Sequence, residues 1–163
     1  MFIEDENFLK LVKNLRYYLS IDAEPLTEKY IDPIDPSIGY PKIRIGDIEI
    51  CCLHYKNCSE AIEAWERRKK RVNYDNIFVC ANSWNLHQKK ELIEEVCRLP
   101  YPTVCFTFGN LVSSSNCVEI TGEEYRLDER GIIRPNITDI KNKSYKRNYE
   151  YYFDFVKWLN QGR

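Results

Sequence analysis

The chain has 163 residues, 44% of them hydrophobic, which is enough for one compact domain with a core and too few for two comfortable ones. Its 24 Lys and Arg are balanced by 25 Asp and Glu, and a net charge of -1 excludes a global attraction to nucleic acid or anionic lipid. The start MFIEDENF lacks the basic opening and apolar run of a signal peptide, and no stretch reaches the ~20 apolar residues of a membrane span, so the cytoplasm is the expected compartment.

Residues 4–20 read as one amphipathic helix, because Phe8, Leu11, Val12, Leu15, Tyr18 and Leu19 recur every three or four positions. Residues 21–40 contain Pro25, Pro33 and Pro36 together with Asp32 and Asp35, which predicts a long surface excursion. Ile43, Ile45, Ile48 and Ile50 flank Gly46-Asp47, a pattern that fits a hairpin or a bulged strand, with residues 48–54 buried.

Asn57 and Glu60 have the spacing of a capping box, and Ala61, Ile62, Trp65 and Val72 mark the buried stripe of a helix running to about residue 71. Residues 77–81 (IFVCA) and 103–108 (TVCFTF) are apolar runs of strand length, separated by a helix over residues 86–99 that Pro100 and Pro102 terminate. The order β-α-β-α-β predicts an α/β protein of three layers with a mainly parallel sheet. Beyond it, residues 118–120 suit a short strand, the segment around Asp128 and Gly131 a small hairpin, and residues 145–160 a closing helix.

Seven cysteines without a C-x-x-C pair argue against a disulfide or zinc framework, and two histidines without H-E-x-x-H give a transition metal little support. Neither a metal nor a cofactor is expected. In strands and on a helix, the thiols of Cys80, Cys105 and Cys97 would behave as small hydrophobes.

Ligands of open parallel sheets bind beyond the carboxyl ends of the strands, where loops and helix N-termini converge. The predicted exits there are His54-Tyr55, Asn82-Ser83 and Gly109-Asn110. In that cluster His54 is the candidate general base, Tyr55, Asn82, Ser83 and Asn110 are candidate ligand contacts, and Gly109 lets backbone approach closely. The same residues also serve as ordinary strand-end caps and turns. Asp47 and Glu49, two positions apart on a strand, are candidates for an acid and base pair, although Gly46-Asp47 is equally ordinary turn chemistry.

The cations Arg67, Arg68, Lys69, Lys70 and Arg71 stand where a helix must end, and there they offset the helix's partial negative charge. Two i,i+4 pairs, Glu63 with Arg67 and Glu66 with Lys70, account for part of the run. The excess, with Arg67, Arg68 and Arg71 suited to bidentate contact, could hold a sugar or phosphate-bearing small molecule or an acidic protein partner. A second copy of the chain is a further candidate partner, and nucleic acid is not expected.

The segment GDIEICCLHYKNCSEAIEAWERRKKRVNYDNIFV, the later LPYPTVCFTF and the closing YYFDFVKWLN together resemble a bacterial family of unknown function whose members are labelled exopolysaccharide biosynthesis proteins. The likeness runs from NLRYYLS to Asn160, and its motif G-D-I-x-I…H-Y…W-x-R-R-x-x-R is specific. Asp47, Glu49, His54, Tyr55, Trp65, Arg67, Arg68, Arg71, Asp75 and Asn76 match it by position. The resemblance implies a three-layer α/β fold and a place in surface-polysaccharide assembly, with a sugar- or anion-binding transferase as the expected activity and a non-catalytic accessory module as the alternative. It also implies an upstream strand and an N-N-C-W-G-G-like segment that this sequence does not contain, so a shortened N-terminus is expected.

Overall fold

Three strands, β1 (Glu24–Ile31), β2 (Gly39–Ile45) and β3 (Ile48–Cys51), form an antiparallel sheet in that order in a computed structural model. The structure describes residues 1–32, 36–83, 89–122, 126–127, 133–134 and 145–160. The isoleucine alternation builds the predicted hairpin, with Ile45 opposite Ile48 and Ile43 opposite Ile50. All four have no solvent exposure. Complete burial of such a side chain is worth roughly 1.5–3 kcal/mol.

Two helices, α1 (Asp5–Lys13) and α2 (Leu15–Ser20), precede the sheet, and α3 (Cys58–Lys69) follows it. Leu11, Tyr18, Cys58 and Ala61 pack with the four isoleucines and Cys52, so the helices share one face of the sheet. The other face carries Tyr40, Lys42, Arg44, Glu49 and Cys51, as strand alternation requires.

Several boundaries differ from expectation. The helix read over residues 4–20 breaks at Asn14, whose backbone angles of -126° and 42° leave the helical region. The segment read as a surface excursion contains β1, an exposed strand joined to β2 through two register shifts. Asp35 and its neighbours 33–34 lie outside the described residues.

The chain divides into two units, Met1–Ile77 and Phe78–Arg163. In the second, β4 (Val79–Asn82), β5 (Thr103–Phe108) and β6 (Cys117–Ile120) form the parallel sheet, with α4 (Lys90–Cys97) between the first two strands. β4 is an edge strand whose Cys80 is exposed while Val79 and Ala81 are buried, so only one face of this apolar run is covered. The expected parallel unit starts one strand too early. β3 pairs antiparallel with β2 on one side and bridges antiparallel to Phe2 at Cys51 on the other, so among the described residues its partners are antiparallel.

Val104, Phe106 and Phe108 alternate onto one face, where Tyr149, Phe153, Phe155 and Trp158 pack as an aromatic cluster. Those aromatics come from a 3₁₀ turn (Asn148–Tyr151), the link after it that holds Phe153, and α5 (Phe155–Leu159), not from one closing helix. Asp154 starts the new helix by accepting a hydrogen bond from the Lys157 N–H at 2.9 Å. β7 (Arg126–Leu127) pairs antiparallel with β8 (Ile133–Arg134), consistent with the expected small hairpin, while Asp128 and Gly131 lie outside the described residues. No helix among the described residues is long and apolar enough to cross a membrane.

Candidate functional site

Gly46 has φ +58°, a conformation glycine adopts without a Cβ penalty, and the turn it makes aims Asp47 back at the helices. The Asp47 carboxylate accepts from the Lys10 ammonium at 2.8 Å and from the Tyr18 hydroxyl at 2.7 Å. Those two bonds, Lys10 first, hold the Asp47 pKa below its ordinary value. The Tyr18 phenol is correspondingly pushed up to about 12, by its bond to Asp47 and then by burial.

Glu49 points to the opposite face and lies 3.4 Å from the Lys42 ammonium. Lys42 is buried, and its ammonium sits 3.7 Å from the centroid of the Tyr30 ring. Burial opposes its charge, but Cys51, Tyr30 and Glu49 together outweigh that effect and raise its pKa. Beside it the Tyr40 hydroxyl donates to Asp32 at 3.2 Å, and burial, then Cys51 and Asp32, push that phenol up. Asp47 and Glu49 are therefore not a carboxylate pair. Each is bound to its own cation.

His54 occupies an exposed turn after β3, and the Tyr55 N–H closes that turn on the Cys52 carbonyl at 3.0 Å. Neither residue follows a strand of the parallel sheet, which corrects their predicted place at its carboxyl edge. The Tyr55 ring packs against the core and lies 5.9 Å from the Arg68 guanidinium.

At the start of α3, the Asn57 side chain accepts from the Glu60 N–H at 2.9 Å, and Glu60 reaches back to the Lys56 N–H at 3.0 Å. Glu28 takes the Cys58 N–H at 3.0 Å, so the chain's own carboxylates occupy this helix start. At the other end Glu66 pairs with Lys69 at 2.7 Å in place of the expected Lys70. Lys69 also donates to the Ile21 carbonyl at 3.1 Å, and its stem is largely covered. Arg67, Arg68, Lys70 and Arg71 extend from the same helix end and are exposed.

In the second unit the parallel register brings Asn82-Ser83 and Gly109-Asn110 to one sheet edge. Ser83 is fully buried: its N–H donates to the Phe106 carbonyl at 2.8 Å, and its hydroxyl oxygen accepts from the Phe108 N–H at 3.1 Å. It extends the ladder and is not presented to a ligand. Gly109, at φ +76°, and Asn110 are exposed, with open space where a Cβ on Gly109 would stand.

A groove of about 320 Å³ has no counterpart among the expectations from sequence. One wall is α4 with the residue that caps it: Lys90, Glu94 and Cys97 follow helical spacing along a single stripe, and Arg98 continues it at the C-cap. The other is Val112, Ser113 and Ser114, in the loop that joins β5 to β6. Glu94 lies 3.1 Å from Arg98 and 3.8 Å from Lys90, so two cations share one carboxylate. The lining has an excess of positive charge, with hydroxyls facing it. The spacing of Lys90, Glu94 and Arg98 was a visible signal, but the loop wall was not. Trp84 and His87 lie outside the described residues.

The family model described as "Domain of unknown function (DUF1919)" matches residues 1–160. A protein of Haemophilus influenzae described as "Uncharacterized protein" is 28% identical over 161 residues, covering 98% of this chain and 71% of that protein.

Proposed function

The chain belongs to the DUF1919 family, and on that premise we propose that it acts in exopolysaccharide or cell-surface polysaccharide biosynthesis by binding an anionic sugar, in the manner of a transferase. The observation that supports this best is the groove between α4 and residues 112–114: its volume suits one sugar ring with a phosphate, and Lys90, Arg98, Ser113 and Ser114 offer cations and hydroxyls. The pathway is taken from the labels carried by the bacterial proteins that the sequence resembles. Asn82 and Asn110, at the carboxyl edge of the parallel sheet, stand as the second position for the same ligand. Titration with nucleotide sugars and sugar 1-phosphates separates the two, since loss of one charge-assisted hydrogen bond in Arg98→Ala weakens groove binding by about tenfold or more. A weakening confined to Asn110→Ala moves the ligand to the other position. If no sugar phosphate binds or shifts the thermal midpoint, the proposal fails.

A second reading, an accessory module that contacts an acidic partner, draws on Arg67, Arg68, Lys70 and Arg71 at the end of α3 beside an inward-turned Lys69. Under it, substitution of Arg67, Arg68 and Arg71 by Glu abolishes recovery of the partner in pull-downs. Equal recovery by both forms rules it out.

A further inference from the structure

The chain's seven cysteines are not equivalent. Cys51, Cys52, Cys58 and Cys105 are buried, Cys80 is exposed, and Cys97 and Cys117 are half-buried with their sulfurs 3.3 Å apart. Cys97 is the last residue of α4 and Cys117 the first of β6, so the two thiols come from elements 20 positions apart in the chain.

Their meeting is held by the surrounding backbone. The Asn116 side-chain amide donates to the Cys97 carbonyl at 2.9 Å, which ties the end of the helix to the residue before Cys117. The Cys117 N–H donates to the Ser114 carbonyl at 3.1 Å and the Asn116 N–H to the Ser114 hydroxyl oxygen at 3.2 Å, fixing the turn that delivers the second thiol. Cys97 also lines the groove, so a small solute reaches it. A disulfide requires the sulfurs to approach by ~1.3 Å, a side-chain adjustment between anchors that already touch.

We propose that Cys97 and Cys117 form a redox-active dithiol that closes to a disulfide when a hydroperoxide enters the groove. Cys97 takes one peroxide oxygen and becomes a sulfenic acid, with release of one water. The Cys117 thiolate then attacks the Cys97 sulfur, the S–O bond breaks, and the departing hydroxide takes up the proton that Cys117 gave up. In total two thiols and one hydrogen peroxide yield one disulfide and two waters. Burial, then the bond to Cys97, pushes the Cys117 thiol up to about 12, which disfavours its thiolate and leaves the groove-lining Cys97 as the thiol that meets peroxide first, with Cys117 attacking only once it has lost its proton.

The test uses the full chain, reduced, then exposed to hydrogen peroxide in native buffer, alkylated and mapped by mass spectrometry. The expected product is a Cys97 to Cys117 linked peptide, favoured by about tenfold or more over any other pair because the thiols are held in contact. In urea that preference disappears. Cys117→Ser, compared with Cys117→Ala to separate folding from chemistry, leaves a Cys97 sulfenic acid that a dimedone probe traps. The proposal is overturned if both thiols remain alkylatable after peroxide, if Cys105 links to Cys117 instead, or if the same pair dominates in urea.

Discussion

The two sheets use their polar residues in opposite ways. In the antiparallel sheet of Met1–Ile77, the carboxylates that spacing marks for chemistry are already engaged: Asp47 with Lys10 and Tyr18, Glu49 with Lys42. In the parallel sheet of Phe78–Arg163, Lys90 and Arg98 are exposed and share one glutamate, while Gly109 has open space beside it. A charge serves a ligand where the fold does not require it. Residue type and spacing alone do not distinguish the two situations, because both require the same carboxylates and cations.

The largest effect that sharpens this contrast concerns the apolar side of the first sheet. Ile48 is fully buried beside Ile45, so Ile48→Ala leaves a cavity and lowers stability by about 2–5 kcal/mol, measured by urea unfolding. A loss below about 1 kcal/mol would mean that this face is not the core on which the engaged charges depend.

Much of this first unit was legible because its signals are local. The isoleucine alternation with Gly46-Asp47 fixed the hairpin, and Asn57 with Glu60 fixed the start of α3. What failed depended on distant partners or on chain geometry. β1 was hidden because Glu24–Ile31 is largely exposed and paired irregularly, so no apolar period marks it. The parallel pairing assigned to β3 failed because β3 is an arm of the antiparallel hairpin and meets Phe2, from the start of the chain, at Cys51. Ser83 looked available at a strand end, yet the ladder consumes its hydroxyl. The groove was invisible because one wall is a loop whose path depends on how β6 pairs with β5.

A smaller effect tests whether the Asp47 cluster is structural. Tyr18→Phe removes one hydrogen bond to a carboxylate and costs about 1 kcal/mol near neutral pH. The Tyr18 phenol, raised in the folded chain from 10.0 to about 12, contributes fully below pH 10 and loses that contribution as pH rises through 12. Asp47 behaves oppositely: its folded pKa lies below 3.8, so its contribution is present above that value and is lost as pH falls below it. The stability gap between the native chain and Tyr18→Phe should therefore be flat from about pH 5 to 9 and shrink at both ends, as read from thermal melts across pH. A gap that does not change with pH would remove Asp47 as the partner that matters.

The smallest expected effect bears most directly on function. Arg98 is exposed and makes an i,i+4 contact with Glu94, an arrangement worth about 0.3–0.5 kcal/mol on a helix surface. Arg98→Ala should leave the melting temperature nearly unchanged, because Glu94 retains Lys90 at 3.8 Å. That near-neutrality makes the substitution informative. Lys10, Lys42 and Lys69 cannot be removed without also disturbing the contacts that hold the first sheet and its helices, so any lost binding there has two explanations. At Arg98, lost sugar-phosphate binding with an unchanged melt has one explanation, the ligand. A stability loss of about 2 kcal/mol or more would instead place Arg98 among the engaged charges and end the distinction between the two sheets.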